Sequence, residues 1–206
     1  MKKLVYKTIK EAISAEISVK RSRFIANISP CSSQTEAEDF IKKISSKYHD
    51  AKHNCYAYIT KDHEKFSDDR EPHGTAGKPI YDVLKYNNIC NACIVVTRYF
   101  GGILLGTGGL THAYSDAAGE VLKQAKTVEM QLCSFFKGEF EYKDMSLVQN
   151  ICNSLGLKLS EGEYTEKISA TVIAKKELEA EFLQKIEEKS CGNIKFEKIK
   201  EEFYFF

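Results

Sequence analysis

Proline is scarce, at three in 206 residues, and glycine reaches only twelve. That excludes a collagen-like or linker-dominated chain. Net charge is nearly absent: 30 Lys and Arg stand against 29 Asp and Glu, for a formal +1. A protein that coats nucleic acid by bulk charge is excluded, though a local basic patch is not. Long apolar runs are missing too. The longest near the middle, Ala92-Cys93-Ile94-Val95-Val96, is far short of the roughly 20 residues a membrane helix needs. No apolar stretch follows Met1-Lys2-Lys3-Leu4-Val5-Tyr6-Lys7, so no secretory leader is expected. What is present is a 43% hydrophobic content, enough for a packed core and too much for a disordered chain. Seven cysteines, an odd number without framework spacing, fit a reduced cytoplasmic chain better than a disulfide scaffold.

Charge is unevenly spread. Residues 1–134 hold 19 basic and 15 acidic side chains, and residues 135–206 hold 11 and 14. The change of sign predicts two domains, 1–134 and 135–206. In the second, strand and helix periods alternate. Phe135–Tyr142 reads as a strand. Asp144 is placed to cap a helix bearing Leu147, Val148, Ile151 and Leu155, ended by Gly156. Leu157–Tyr164 and Lys167–Ala174 read as strands, the first perturbed at Glu161-Gly162. Glu177–Ser190 reads as a helix and Ile194–Phe206 as a closing strand. The order βαββαβ is the ferredoxin-like pattern.

The first segment is less regular. Strands are expected at Ala15–Val19 and Phe24–Ser29, joined by the basic turn Lys20-Arg21-Ser22-Arg23. A helix follows over Thr35–Tyr48, then a strand over Asn54–Thr60 and a polar loop at 67–79. Pro79–Tyr86 reads as a short helix and Cys93–Arg98 as a strand buried on both faces. The most regular helix carries Leu110, Ala113, Tyr114, Ala117, Ala118, Val121, Leu122 and Ala125 on one stripe.

Several constellations could carry chemistry. Six glycines fall between Gly101 and Gly119. The run Gly106-Thr107-Gly108-Gly109 lacks the lysine of a phosphate-binding P-loop. It reads either as a tight strand-to-helix connection or as an anion site made of backbone N–H groups. The acidic stretch Asp68-Asp69-Arg70-Glu71 could bind a divalent ion or act as acid and base, or could be a solvated loop. Thr75 is placed to cap the following helix. His53 and Cys55 share a strand face, which suggests either a nucleophilic pair or, more simply, a buried thiol and a hydrogen-bonded imidazole. Cys90-Asn91-Ala92-Cys93 precedes a strand and has no second pair, so redox and zinc readings are weak. The aromatic end Phe203-Tyr204-Phe205-Phe206 reads as strand core rather than a stacking platform.

Two long stretches resemble the IMPACT/YigZ family: Ser67-Asp68-Asp69-Arg70-Glu71-Pro72-His73-Gly74-Thr75-Ala76-Gly77-Lys78-Pro79, and Val95 to Leu110 with Arg98-Tyr99-Phe100-Gly101-Gly102 inside it. The Lys20–Phe24 turn and His53-Asn54-Cys55-Tyr56-Ala57-Tyr58 fit as well. Family members usually carry glycine where this chain has Arg70. The resemblance implies an α+β protein of two domains. The first would share its fold with a small-subunit ribosomal protein domain and domain IV of elongation factor G. The second would resemble the ferredoxin-like C-terminal domain of that factor. Eukaryotic relatives are linked to translational control under amino-acid starvation.

The functional expectation is therefore a cytoplasmic regulator that contacts RNA, the ribosome or a translation-control protein, without cofactor, metal, catalysis or membrane attachment. Its rival is a metal-dependent hydrolase or other enzyme using residues 68–71 and the turn 101–109. Nucleic-acid or anion binding is expected from Lys20, Arg21, Arg23, Lys78, Arg98, Gly101, Gly102, Gly106, Thr107, Gly108 and Gly109. The motif loop, with His53, Asp68, Asp69, Glu71, Gly74, Thr75 and Gly77, is expected on the same surface, because strand ends gather functional loops.

Overall fold

The computed structural model describes residues 4–164 and 166–205. Met1–Lys3 and Phe206, which belong to the expected leader-free start and last strand, lie outside it. Contacts divide the described residues into two compact units, Tyr6–Val128 and the residues from Glu129 on, with Leu4 and Val5 joining the second. The charge reversal points instead to 134/135. That position falls inside a strand, Thr127–Phe140, whose residues from Gln131 on are already paired within the second unit. Among the described residues no helix is long and apolar enough to cross a membrane.

The chain opens with β1 (Val5–Ile9), where the Lys7 carbonyl accepts the Cys90 N–H. Next come β2 (Ile13–Val19), β3 (Ser22–Pro30), α1 (Gln34–Lys47), β4 (His53–Ile59), β5 (Glu64–Ser67), α2 (Gly77–Tyr86), β6 (Ala92–Tyr99) and α3 (Gly106–Gln124). The first unit's sheet is antiparallel in the order β2-β3-β6-β4-β5. β6 lies at its centre, with every residue from Ala92 to Arg98 buried. One sheet face carries Phe24, Cys55, Ala57, Ile94 and Val96 against α2 and α3. The other carries Tyr58, Cys93 and Val95 against Ala37 and Ile44 of α1. Two covered faces explain the unbroken apolar run of β6.

The second unit runs β7 (Thr127–Phe140), α4 (Met145–Ser154), β8 (Lys158–Tyr164), β9 (Ile168–Lys175), α5 (Glu179–Lys189) and β10 (Phe196–Tyr204). β9 and β10 both pair with β7 over the same residues, so they flank it, and β8 lies outside β9. In chain order of the four strands this is fourth-first-third-second, the ferredoxin-like sheet expected of βαββαβ. Phe136, Phe182 and Phe196 form its aromatic core, with ring centroids 5.3–5.5 Å apart along the chain of contacts. The expected perturbation at Glu161-Gly162 is a register shift between Glu161 and Tyr164. Asp144 does not cap α4 with its side chain. Residues 142–144 form a single 3₁₀ turn that runs straight into the helix, and Asp144 adopts helical angles there.

Candidate functional site

The site begins with the turn after β5. Glu71 N–H donates to the Asp68 carbonyl at 2.9 Å, and the two central residues have positive φ: Asp69 at 37° and Arg70 at 69°. This left-handed pair is the conformation that favours glycine at the second position. Arg70 adopts it with its side chain anchored, Nη2 donating to the Lys52 carbonyl at 2.7 Å. The loop thus keeps a left-handed backbone despite the arginine.

The acidic side chains of the loop point in three directions. Asp68 accepts the N–H groups of Gly74 at 2.8 Å, Ala76 at 3.0 Å and Gly77 at 2.8 Å. Partial burial pushes its carboxyl up, but these backbone donors outweigh that and hold it below the usual aspartate value. Asp68 is therefore the cap of α2. Thr75, expected in that role, donates instead to the Pro72 carbonyl at 2.6 Å. Gly77 is required by space, because a Cβ there would lie 2.6 Å from the Ser67 carbonyl carbon. Asp69 accepts Asn54 N–H at 2.7 Å.

Glu71 turns inward. Register places His53 of β4 and Phe24 of β3 on either side of Arg98 in β6. Glu71 Oε1 accepts from Arg98 Nη1 at 2.7 Å and from the Tyr114 hydroxyl at 2.8 Å. His53 Nε2 lies 3.9 Å from the same oxygen. His53 Nδ1 donates to the Asp69 carbonyl at 2.8 Å. Both members of the Glu71–Arg98 pair are buried, with side chains 3% and 9% exposed. The Arg98 guanidinium carbon sits 5.7 Å from the Phe24 ring centre and 5.6 Å from that of Phe100, and its Nε meets no acceptor among the described residues.

This arrangement decides between the two readings of His53 and Cys55. The Cys55 thiol donates to the Asp68 carbonyl at 2.9 Å and lies 3.4 Å from the Tyr114 oxygen. Burial pushes both the thiol and the Tyr114 hydroxyl far up, so neither is a ready nucleophile. The imidazole hydrogen-bonds the loop backbone rather than the thiol. The carboxylates of Asp68, Asp69 and Glu71 do not converge, and among the described residues no group of three or more His, Cys, Asp or Glu is placed to hold a metal ion. Cys93 is buried with its thiol likewise raised by desolvation.

A second left-handed turn faces solvent between β2 and β3. Lys20 and Arg21 have φ of 44° and 69°, closing a two-residue hairpin between the paired Val19 and Ser22. Gly101 rests on it. Its N–H donates to Ser22 Oγ at 3.1 Å, and a Cβ on Gly101 would lie 2.1 Å from the Arg21 carbonyl carbon. The basic turn thereby packs directly against the start of the glycine-rich stretch. Lys20 and Arg21 are exposed and form no ion pair among the described residues. Arg23, expected to add to the patch, is neutralised by Glu16 through two 2.9 Å bonds and lies over the Tyr99 ring.

Other expected members stand apart. Lys78 of α2 pairs with Asp82 one turn on. Gly106-Thr107-Gly108-Gly109 is the first turn of α3 itself, with Gly106, Thr107 and Gly108 exposed and no hydrogen bond to residues 68–76 among the described residues. Gly102, at φ 84°, is exposed beside them. α3 does join the cluster, but through Tyr114, two turns further along. In the sequence Tyr114 reads as part of an apolar stripe. Its hydroxyl is the available signal, since a buried phenol needs a partner.

Comparison with known proteins follows the same division. The Impact N-terminal domain family matches residues 20–122. IMPACT family member YvyE of Bacillus subtilis (strain 168) is 40% identical over 179 residues, covering 85% of this chain and 82% of that protein. IMPACT family member YigZ of Escherichia coli (strain K12) is 31% identical over 188 residues, covering 89% and 92%. A crystal structure of a hypothetical protein aligns with TM-score 0.63 and 29% identity over 97% of this chain and 100% of the other. The matched span opens on the basic turn, closes in α3 and takes in His53, Glu71, Arg98 and Tyr114; with relatives that align across both units, it makes this chain a member of the IMPACT family.

Proposed function

We propose that this chain is a non-catalytic regulator of translation that binds RNA, free or within the ribosome, through the surface made by the 20–23 turn and the 100–105 turn. The observation that carries this reading is the seating of Gly101 on Arg21 and Ser22, which joins two separately recognised patches. The Glu71–Arg98–Tyr114 network lies behind that surface and holds the end of β6 rigid. The resemblance to a family linked with translational control supplies the cellular setting, by analogy rather than by geometry. The acid loop takes a structural part here: its carboxylates hold α2, β4 and Arg98 in place.

Two free cations neutralise only a few phosphates, so binding is weak, micromolar or poorer, and falls steeply with salt. RNA rather than duplex DNA is the ligand, because among the described residues no helix is basic along one face as a major-groove reader is. The test is RNA affinity measured between low and physiological salt. Reversing Lys20, Arg21 and Arg23 together to glutamate should lower affinity and flatten the salt slope by about 2, the two unpaired cations, with Arg23 adding little. Unchanged affinity removes this surface from the binding site.

A further inference from the structure

We infer that the outer face of Phe100 is a stacking platform for an unpaired base of single-stranded RNA, with Lys20 and Arg21 taking the adjoining phosphates. This rests on the RNA reading above and names the ligand class and the contact within it.

Phe100 follows directly on the central strand, yet it is 52% exposed. Its ring is not loose. One face lies over the Arg98 guanidinium, which Glu71 holds, and Glu71 is held in turn by Tyr114. An exposed aromatic ring that is already held against a guanidinium has lost part of the freedom that stacking would cost. Around it the apolar exposure continues, with Ile103 at 42% and Leu104 at 83%. Such a cluster on a loop marks a contact surface.

The chemistry of the occupant follows from charge. Residues 99–111 carry no charged side chain. Gly101, the next residue, packs against the backbone of Arg21, in the turn that carries the exposed Lys20 and Arg21. Glu16, the acidic group nearest that hairpin in register, is taken by Arg23. An exposed ring on a turn next to Lys20 and Arg21 matches a base with its phosphate. Every base has a π-face, so the contact is tolerant of sequence. An apolar peptide would leave Lys20 and Arg21 without partners.

The chain contains no tryptophan, so Phe100→Trp introduces a single reporter. That variant is titrated with 12-nucleotide oligoadenylate and oligouridylate, following both its indole emission and the anisotropy of a labelled strand. Thermal melting first establishes that each variant folds. Stacking predicts quenching that saturates together with the anisotropy. It predicts that Phe100→Leu weakens binding about tenfold with an unchanged salt slope, and that Phe100→Tyr retains it. Wild-type affinity in Phe100→Leu, with no quenching of the indole in Phe100→Trp, overturns the platform while leaving RNA binding by the basic turn intact. No anisotropy change with the native protein overturns both. Blue-shifted, brighter indole emission on anionic phosphatidylserine vesicles, without quenching by RNA, assigns the surface to lipid and overturns the proposal.

Discussion

The two units bury different things. In the first, Thr8, Ser22, Asn27, Asn54, Thr60, Glu71, Thr75, Thr97 and Arg98 are buried polar or charged residues; in the second, among the described residues, only Ser134 and Ser190 are. The second unit keeps its charges outside, where Lys176 and Lys198 share Glu179 and Glu201 across the sheet and α5. Its stability comes from apolar packing, and exposed ion pairs add little. The first unit carries an ion pair inside, next to a surface loop. A buried pair is weak grounds for stability but a strong constraint on geometry, because each partner is costly to leave alone. The first unit buries a charge pair that fixes Arg98, and the second has no comparable feature among its described residues.

Breaking the buried pair should give the largest effect. Glu71→Ala leaves Arg98 and the Tyr114 hydroxyl without their acceptor, and should destabilise the first unit by about 3–5 kcal/mol. Glu201→Gln in the second unit should leave the urea midpoint almost where it was. Chemical denaturation, with the two units followed by separate probes, checks both. Equal effects from the two substitutions would erase the distinction. Tyr114→Phe sharpens it. Only a hydroxyl is lost, from a site where it donates to Glu71, so about 1–2 kcal/mol is expected, again confined to the first unit.

The same contrast governs how much of each unit is legible in the sequence. The second unit is legible because its pattern is local: period-two strands and period-3.6 helices alternate, and their order dictates the sheet. Its helix starts are not, since Asp144 enters a 3₁₀ turn instead of capping. In the first unit, β5 escapes notice because Glu64-Lys65-Phe66-Ser67 is a short, polar edge strand that joins the sheet through β4. β1 and the first half of β7 escape for a like reason: their hydrogen bonds join positions far apart in the chain, as from Leu132 N–H to the Leu4 carbonyl. The start of α3 is misplaced because Gly106, Gly108 and Gly109 are poor helix formers, so packing rather than propensity makes that turn helical. The motif residues themselves are visible. Their partners are not, because a one-dimensional reading cannot show that Asp68 caps α2 from eight residues away, or that Gly101 closes on Ser22 from 79 residues away.

Acid should weaken the first unit through Asp68 next. Asp68 has a folded pKa below its unfolded value. A carboxyl of that kind stabilises the fold above its unfolded pKa, about 4, and stops doing so as the pH falls through the lower, folded value. The first unit should therefore lose stability below about pH 4. Asp68→Asn should cost about 1–2 kcal/mol at neutral pH, by weakening three backbone bonds to a charged acceptor, and should flatten that acid limb. A limb of unchanged steepness in the variant would assign it to other carboxylates.

The smallest effect is expected at Arg70, where two terms oppose. Its left-handed φ of 69° costs about 1 kcal/mol relative to glycine. Its hydrogen bond to the Lys52 carbonyl, at an exposed site, returns a comparable amount. Arg70→Gly removes both terms and adds the greater chain entropy of unfolded glycine, so it should lie within about 1 kcal/mol of the parent protein. Arg70→Ala removes the bond and keeps the strain, so it should be less stable than Arg70→Gly. That ordering, read from urea midpoints of the first unit, is the informative quantity. If alanine matches or exceeds glycine, backbone strain does not decide which residue suits this turn, and its geometry must be set by Asp69 and its bond to Asn54 instead.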